Sequence, residues 1–362
     1  MKEKKLYFFI LIGFLYFSVG QAVPKLHYED ARHLAIVGKA FDDTPNPYHR
    51  IDTARYSDFS RSCKSLYRFS SGIAISFKTN STIIAARWLS SKRLSSENMS
   101  AIGQKGLDLY IKKDGKWVFA GVGKPKIDKH ESVIVDHMDN SEKECLLYLP
   151  LFDEVHKLEI GVDENAHIIG VPDVFRHRIV VYGSSITHGA AASRSGMSYC
   201  SLLSRRTGLD FLNLGVAGNA KFQMEHARMI VDAKPDVIIL DCIPNPNPQE
   251  ITERTASFMN YLREKCPDVP IIFIQSIVRE LGNFDLPKRK YESDKRQAAR
   301  TEVKKLLKNG YTKLYFIEED HFLGDDHNGT MDGTHPTDLG FERMLGVIQP
   351  QIMKILKKNH IK

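Results

Sequence analysis

The hydrophobic period of this 362-residue chain changes once, near Pro172, so no single repeating architecture can accommodate it. Before that point apolar residues recur at every second position, as in Ile73, Ile75 and Phe77, then Leu107, Leu109 and Ile111, then Leu158, Ile160 and Val162. A period of two marks strands with one buried face. Asp114-Gly115 stands between two such runs and is a strong two-residue hairpin signal, because both residues tolerate positive φ. Many short strands without a long helical pattern predict an antiparallel β-sandwich over residues 23–171.

After Val171-Pro172-Asp173, apolar runs at 179–182, 211–214, 237–240, 271–274 and 314–316 alternate with helical stretches. The helices are expected at about 197–207, 224–233, 251–265, 287–309 and 339–358. Gly208 and Gly310 stand where a helix C-terminus favours a left-handed residue. Alternating βα units of this size predict an α/β domain over residues 172–362, a flavodoxin-like doubly wound parallel sheet. The chain is long enough for two domains, each with its own core. No internal repeat or low-complexity segment interrupts either half.

Residues 1–22 read as a secretory signal peptide. Lys2, Lys4 and Lys5 precede an apolar run from Leu6 to Val19, and Gly20-Gln21-Ala22 supplies small residues at the cleavage positions. The expectation is export to the periplasm or the extracellular space, with no stable membrane partner. The formal net charge of +7 is partly N-terminal and otherwise scattered. Its densest basic run, Lys288-Arg289-Lys290, has no interleaved aromatics to stack bases, so it reads as a solvated helix face and not a nucleic-acid site. The five cysteines (Cys63, Cys145, Cys200, Cys242, Cys266) are far apart and lack metal-ligand spacing, which favours buried free thiols. Sequons at Asn80, Asn98 and Asn328 matter only in a host that glycosylates.

The chemistry concentrates at strand ends in the second half. Tyr182-Gly183-Ser184-Ser185-Ile186-Thr187-His188-Gly189 follows a buried strand and opens a helix, lifting a serine hydroxyl clear of the backbone beside free helical N–H groups. A serine is a poor nucleophile without a base in hydrogen-bond reach. Asp332-Gly333-Thr334-His335-Pro336, after the last strand, offers an imidazole and a carboxylate to orient it. The same spacing at Asp30…His33 and Asp153…His156 lies in the N-terminal half, away from any sheet of this kind. Donors for a developing oxyanion are expected from the glycines of residues 213–219 and from a side-chain amide in residues 241–245.

With these segments in place the chain resembles the SGNH (GDSL-type) hydrolases. It is closer still to a bacterial branch whose N-terminal β-sandwich carries a Gly-x-Asp-Leu-Tyr motif, here Gly106-Leu107-Asp108-Leu109-Tyr110. Trp88, Trp117, Arg194, Gly196 and Met197 fit the same pattern. The resemblance implies Ser185 as nucleophile with its own N–H in the oxyanion hole, Gly218 and Asn245 as the other oxyanion donors, His335 as base and Asp332 as its orienting carboxylate. Two departures stand out. Ser184 replaces the usual Asp, and Asp241-Cys242-Ile243-Pro244-Asn245 replaces the common third block, with Asn247 as a fallback for the amide.

The implied activity is that of a cofactor-independent serine esterase acting on short acyl groups, acetyl first, with acylated carbohydrate as the expected partner. The competing reading is a glycan-binding protein with a catalytically silent hydrolase domain. His188, Tyr182 and Arg194, together with Tyr199, are candidates for the pocket wall. A metal cluster from Asp325, Asp326, His327, Asp332 and His335 is disfavoured, since no helical histidine pair supports it.

Overall fold

The structure is a computed structural model that describes residues 25–91, 96–126 and 129–361, so the predicted signal peptide lies outside the described residues. The N-terminal region contains strands β1 (Leu26–Asp30), β2 (Ala35–Val37), β3 (Ala74–Thr79), β4 (Ile84–Ser90), β5 (Leu107–Lys113), β6 (Lys116–Gly123), β7 (Lys129–Val135), β8 (Lys143–Tyr148), β9 (Val155–Asp163) and β10 (Ile168–Gly170). Two short helices, α1 (Arg61–Tyr67) and α2 (Ala101–Lys105), interrupt them. One sheet has the order β1-β9-β4-β7; the other runs β10-β3-β8-β5-β6, with β2 also on β3. All their pairings are antiparallel.

The alternating residues read from the sequence meet between these sheets: Ile73, Ile75, Phe77, Leu107, Leu109, Leu158 and Ile160 share one buried cluster with Trp88 and Leu147. Burying each such side chain contributes about 1.5–3 kcal/mol. Asp114 and Gly115 close the β5–β6 hairpin with φ of 51° and 74°, as a primed turn requires. The outer face of the second sheet carries Tyr110, Leu146 and Tyr148 and faces the C-terminal half, where the Tyr148 hydroxyl donates to the Ser201 carbonyl.

That half contains β11 (Arg176–Gly183), α3 (Ser185–His188), α4 (Tyr199–Thr207), β12 (Leu209–Gly215), α5 (Met224–Asp232), β13 (Val237–Asp241), α6 (Pro248–Lys265), β14 (Ile271–Ile274), α7 (Leu286–Lys308), β15 (Leu314–Ile317) and α8 (Asp338–Lys358). The five strands are parallel, as the alternation predicted, in the flavodoxin-like order β12-β11-β13-β14-β15. Along β11, Val180 and Tyr182 face a core shared with α5, α6 and α7, while Ile179 and Val181 face one shared with α4 and α8. Chain direction switches at β11, whose neighbours are β12 and β13. The carboxyl ends of the strands at such a switch point are where open α/β sheets place their ligand sites.

Three local features depart from the sequence reading. The helix expected from 197 starts at Tyr199, because the Ser198 hydroxyl caps it and Ser195–Met197 forms a 3₁₀ turn. The helix expected from 251 starts at Pro248, because Asn247 and Glu250 form a reciprocal capping box ahead of it. Residues 40–67 were not expected to be helical or to leave the sandwich. Yet Ala40, Ile51, Phe59, Cys63 and Tyr67 pack into the core on the α5–α7 side of the parallel sheet.

Candidate active site

β11 ends in Gly183, where an added Cβ would collide with the Thr187 side chain and lie 2.7 Å from the Asp241 carbonyl oxygen. Only glycine lets the chain turn this closely into α3. Ser184 takes the N-cap: its N–H donates to the Asp241 carbonyl at 3.2 Å, and its hydroxyl accepts from the Ile186 N–H at 3.1 Å. Serine caps a helix about as well as aspartate does, which accounts physically for its presence at this position. Ser185 is then the first helical residue, with an N–H that has no intrahelical partner. Between Val181 and Ala190 it alone is not fully buried.

The Ser185 Oγ lies 2.9 Å from His335 Nε2. His335 Nδ1 lies 2.7 Å from Asp332 Oδ2, while Asp332 Oδ1 accepts the backbone N–H of His335 at 2.8 Å and of Thr334 at 3.0 Å. The Asp-x-x-His spacing is thus a turn in which one carboxylate oxygen organises the backbone and the other faces the ring. A bridge between Thr330 and Pro336 and the left-handed Gly333, φ 78°, close that turn. Burial alone would raise the Asp332 carboxyl, but the hydrogen bonds from His335 and Asn98 outweigh it and hold it down at about 2. A charged Asp332 fixes the proton on Nδ1 and leaves the Nε2 lone pair facing the serine.

Gly218 and Asn245 sit in the loops after β12 and β13. Gly218 is exposed with φ 71°, and nothing lies within 4 Å of where its Cβ would be, so conformation and not space demands glycine there. Asn245 Oδ1 accepts from the Ala220 N–H at 3.2 Å, which joins the two loops and leaves Nδ2 as a donor. The preceding carbonyl, of Pro244, accepts from Arg279 at 2.7 Å and Lys295 at 3.2 Å, and both cations also pair with Glu292. The fallback Asn247 is occupied as the cap of α6.

The four residues expected at the pocket wall have other contacts. Tyr182 is fully buried beneath the sheet, its ring stacked on Phe258 and near His226, because strand alternation turns it into the core. His188 is fully buried at the end of α3, stacked on Phe152 at 4.0 Å, with Nε2 on the Leu151 carbonyl at 2.9 Å. Burial and then the Arg50 charge push its pKa well below the ordinary value, so it is neutral and cannot rival His335. Arg194 is half-buried and committed to Asp108 of the Gly-x-Asp-Leu-Tyr motif at 3.2 Å. Tyr199, also buried, donates to Asp241. Of the residues considered for a metal, Asp326 pairs with Arg343 and His327 with Glu280.

Asn98 is the residue the sequence reading missed. Its Nδ2 lies 2.8 Å from Asp332 Oδ2 and 3.0 Å from His335 Nδ1, across 234 and 237 positions of chain. Its sole local signal was the sequon Asn98-Met99-Ser100, which says nothing of such a contact. A separate polar cavity of about 710 Å³, lined by residues including Arg279, Arg296, Arg300 and His321, contains none of Ser185, Gly218, Asn245 or His335.

Comparison with known proteins shows the family and the fold. Residues 176–353 match the model of the GDSL-like lipase/acylhydrolase family, and residues 26–168 match the N-terminal domain of SGNH-hydrolase-type esterases that carries the GxDLY motif. A GDSL-like lipase from Bacteroides ovatus is 51% identical, with a TM-score of 0.90 over 92% of this chain and 98% of that one. The chain belongs to the GDSL-like lipase/acylhydrolase family. A salicylyl-acyltransferase from a tetracycline biosynthetic pathway shares the family's fold at 20% identity, TM-score 0.68, over 91% of this chain and 94% of that one. An acetyl xylan esterase from the rumen bacterium Butyrivibrio proteoclasticus shares it at 14% identity, TM-score 0.56, over 92% and 98% of the two chains. No curated protein sequence matches.

Proposed function

We propose that this GDSL-family protein is an exported serine esterase that removes short acyl groups, acetyl first, from carbohydrate. One observation carries the reading: a serine hydroxyl at a helix start, 2.9 Å from an imidazole whose other nitrogen is 2.7 Å from a carboxylate. Ser185 Oγ attacks the ester carbonyl carbon as its proton passes to His335 Nε2. The N–H groups of Ser185 and Gly218 and the Asn245 amide hold the oxyanion. As the tetrahedral adduct collapses, His335 returns the proton to the departing alkoxide, leaving an acyl-serine. Water then repeats the sequence, His335 taking its proton, and frees the carboxylic acid and the serine. Every step uses groups of this chain and no cofactor.

The carbohydrate part is supported by analogy: among proteins of this fold are an acetyl xylan esterase and family two carbohydrate esterases, one of them from Clostridium thermocellum in complex with cellohexaose. Export is supported by the pattern of residues 1–22. The test is hydrolysis of p-nitrophenyl acetate by wild type and Ser185→Ala, followed by acetate release from a panel of acetylated polysaccharides. Turnover lost in the variant, with a fluorophosphonate probe found on Ser185, is the expected result. A wild type that binds glycan yet turns over no short-chain ester would give the case to the silent-domain reading.

A further inference from the structure

We infer that Asn98, from the N-terminal β-domain, is a positioning residue for the Asp332–His335 pair, so that the catalytic centre is complete only when the two domains are docked. The inference rests on the hydrolase reading and extends it to a residue outside the α/β domain.

The geometry has two parts. The first is the contact itself. Asp332 Oδ2 receives two donors, His335 Nδ1 at 2.7 Å and Asn98 Nδ2 at 2.8 Å. With Oδ1 already held by two backbone N–H groups, Asn98 supplies the fourth hydrogen bond, and the carboxylate has no freedom to rotate away from the ring. A neutral donor also favours the ionised carboxylate without adding a charge that would compete for the imidazole.

The second part is the mounting of Asn98. Its turn is gripped by buried Gln104, which donates to the Ser96 and Met99 carbonyls and accepts the Ser96 N–H. The Ser96 hydroxyl donates to Asn98 Oδ1, which fixes the amide with Nδ2 toward Asp332. Behind the turn, α2 is anchored by the buried Lys105–Asp153 ion pair. Ahead of it the contacts cross to the catalytic half: Met99 packs against the core shared with α4 and α8, and the Ser100 hydroxyl donates to the Ser193 carbonyl at 3.0 Å. Ser193 in turn donates to Asp338, three residues beyond His335. An amide held at both ends in this way is preorganised, and its hydrogen bond needs no side-chain ordering when substrate arrives.

Among the described residues, the charged groups around this turn include exposed Glu97 beside Asn98 in the chain, Asp332, Asp338 at the start of α8, and Glu280, which is paired with His327 beside the Leu281–Gly333 contact. Arg194 on the domain seam is paired with Asp108. A carboxylate at position 98 would face Asp332 Oδ2 where a hydrogen-bond donor now stands.

The experiment is steady-state hydrolysis of p-nitrophenyl acetate as a function of pH by the full chain carrying Asn98→Ala or Asn98→Asp. Tyr56→Phe, which removes a contact to Asp232 away from the site, serves as control. Asn98→Ala is expected to lose about 10–100-fold in kcat with KM within about twofold, the scale of a misplaced catalytic group. Asn98→Asp is expected to move the acid limb of kcat/KM upward by about one pH unit, because the added charge holds a proton on His335. The control stays within about twofold of wild type in both readouts. An active wild type with Asn98→Ala matching it in kcat, and Asn98→Asp matching its pH profile, would overturn the positioning role and leave the hydrolase reading standing. A wild type without turnover, and with Ser185 unlabelled by a fluorophosphonate, would remove the hydrolase reading and the positioning role with it.

Discussion

Asp332→Asn replaces one oxygen by an NH₂ group and leaves the new amide no orientation that suits all its neighbours. If the nitrogen takes the Oδ1 position, it faces the backbone N–H groups of Thr334 and His335, both of which lose their acceptor. Losing two hydrogen bonds at this partly exposed turn costs about 1–3 kcal/mol together. If the nitrogen takes the Oδ2 position, it faces His335 Nδ1 and the Asn98 amide. The Asn98 amide can flip if the Ser96 hydroxyl rotates to accept from it, and the ring can shift its proton to Nε2, so this orientation is the cheaper one. The Ser185 hydroxyl, 2.9 Å from Nε2, then meets an N–H instead of a lone pair and has no base. A tautomer locked the wrong way lowers kcat by about 10³–10⁴-fold, or about 4–5.5 kcal/mol of barrier at 1.36 kcal/mol per decade. KM should barely change, because Asp332 does not touch substrate in this mechanism. The assay is initial-rate hydrolysis of p-nitrophenyl acetate against a Ser185→Ala baseline. An Asp332→Asn enzyme that kept more than about a tenth of wild-type kcat would refute the tautomer argument.

Asn245→Ala removes the side-chain donor proposed for the oxyanion and its tie to the Ala220 N–H; kcat should fall about 10²–10³-fold with KM little changed, measured by the same assay. His226 tests the core: both ring nitrogens are buried without partners, and burial holds its pKa at about 3, far below the ordinary 6.5. Because the folded value is the lower one, protons bind the unfolded chain first. Stability should therefore fall as pH drops through 6.5, losing about 2 kcal/mol by pH 5, and level off only below 3. His226→Phe, placed among Phe59, Tyr67 and Tyr182, should remove that share of the slope in urea denaturation between pH 7 and pH 5, while buried His188 keeps its own share.

What could be read from the sequence follows from how local each signal is. The five parallel strands were legible because buried apolar runs, turn glycines and helical periods all lie within a few residues of one another. Ser185, His335 and Asp332 were legible because each sits in a short turn at a strand end, where the backbone itself dictates the residue type. Tyr182 and His188 misled for the opposite reason. They neighbour the nucleophile in sequence, but strand alternation carries one below the sheet, and the single turn of α3 carries the other into the seam between Phe152 and Arg50. The roles of Asn98 and Arg50 could not be read locally, since their partners in the catalytic half lie more than 100 positions away. Nothing in a polar stretch of serines and asparagines distinguishes a solvated turn from one aimed at a carboxylate.

Those long-range contacts also explain why the N-terminal β-domain accompanies the hydrolase sheet. Arg50 is fully buried without a carboxylate, and donates instead to the carbonyls of Asn213 and Gly215 at the end of β12, just before the Gly218 loop. Ser71 donates to the His188 carbonyl at the end of the nucleophile helix and accepts from Asn213. Asp108 accepts the Gly196 N–H at 2.8 Å and pairs with Arg194. A Cβ on Gly196 would strike the Tyr110 ring and lie 2.7 Å from Asp108, so the Gly-x-Asp-Leu-Tyr motif and the Arg-x-Gly segment are two halves of one latch. Asn98 reaches the triad turn itself. The oxyanion strand, the nucleophile helix and the base-bearing turn are thus each held by at least one side chain from the other domain. A parallel sheet fixes where its strands end but not how the loops beyond them lie, and here that job falls to residues that the sheet does not contain.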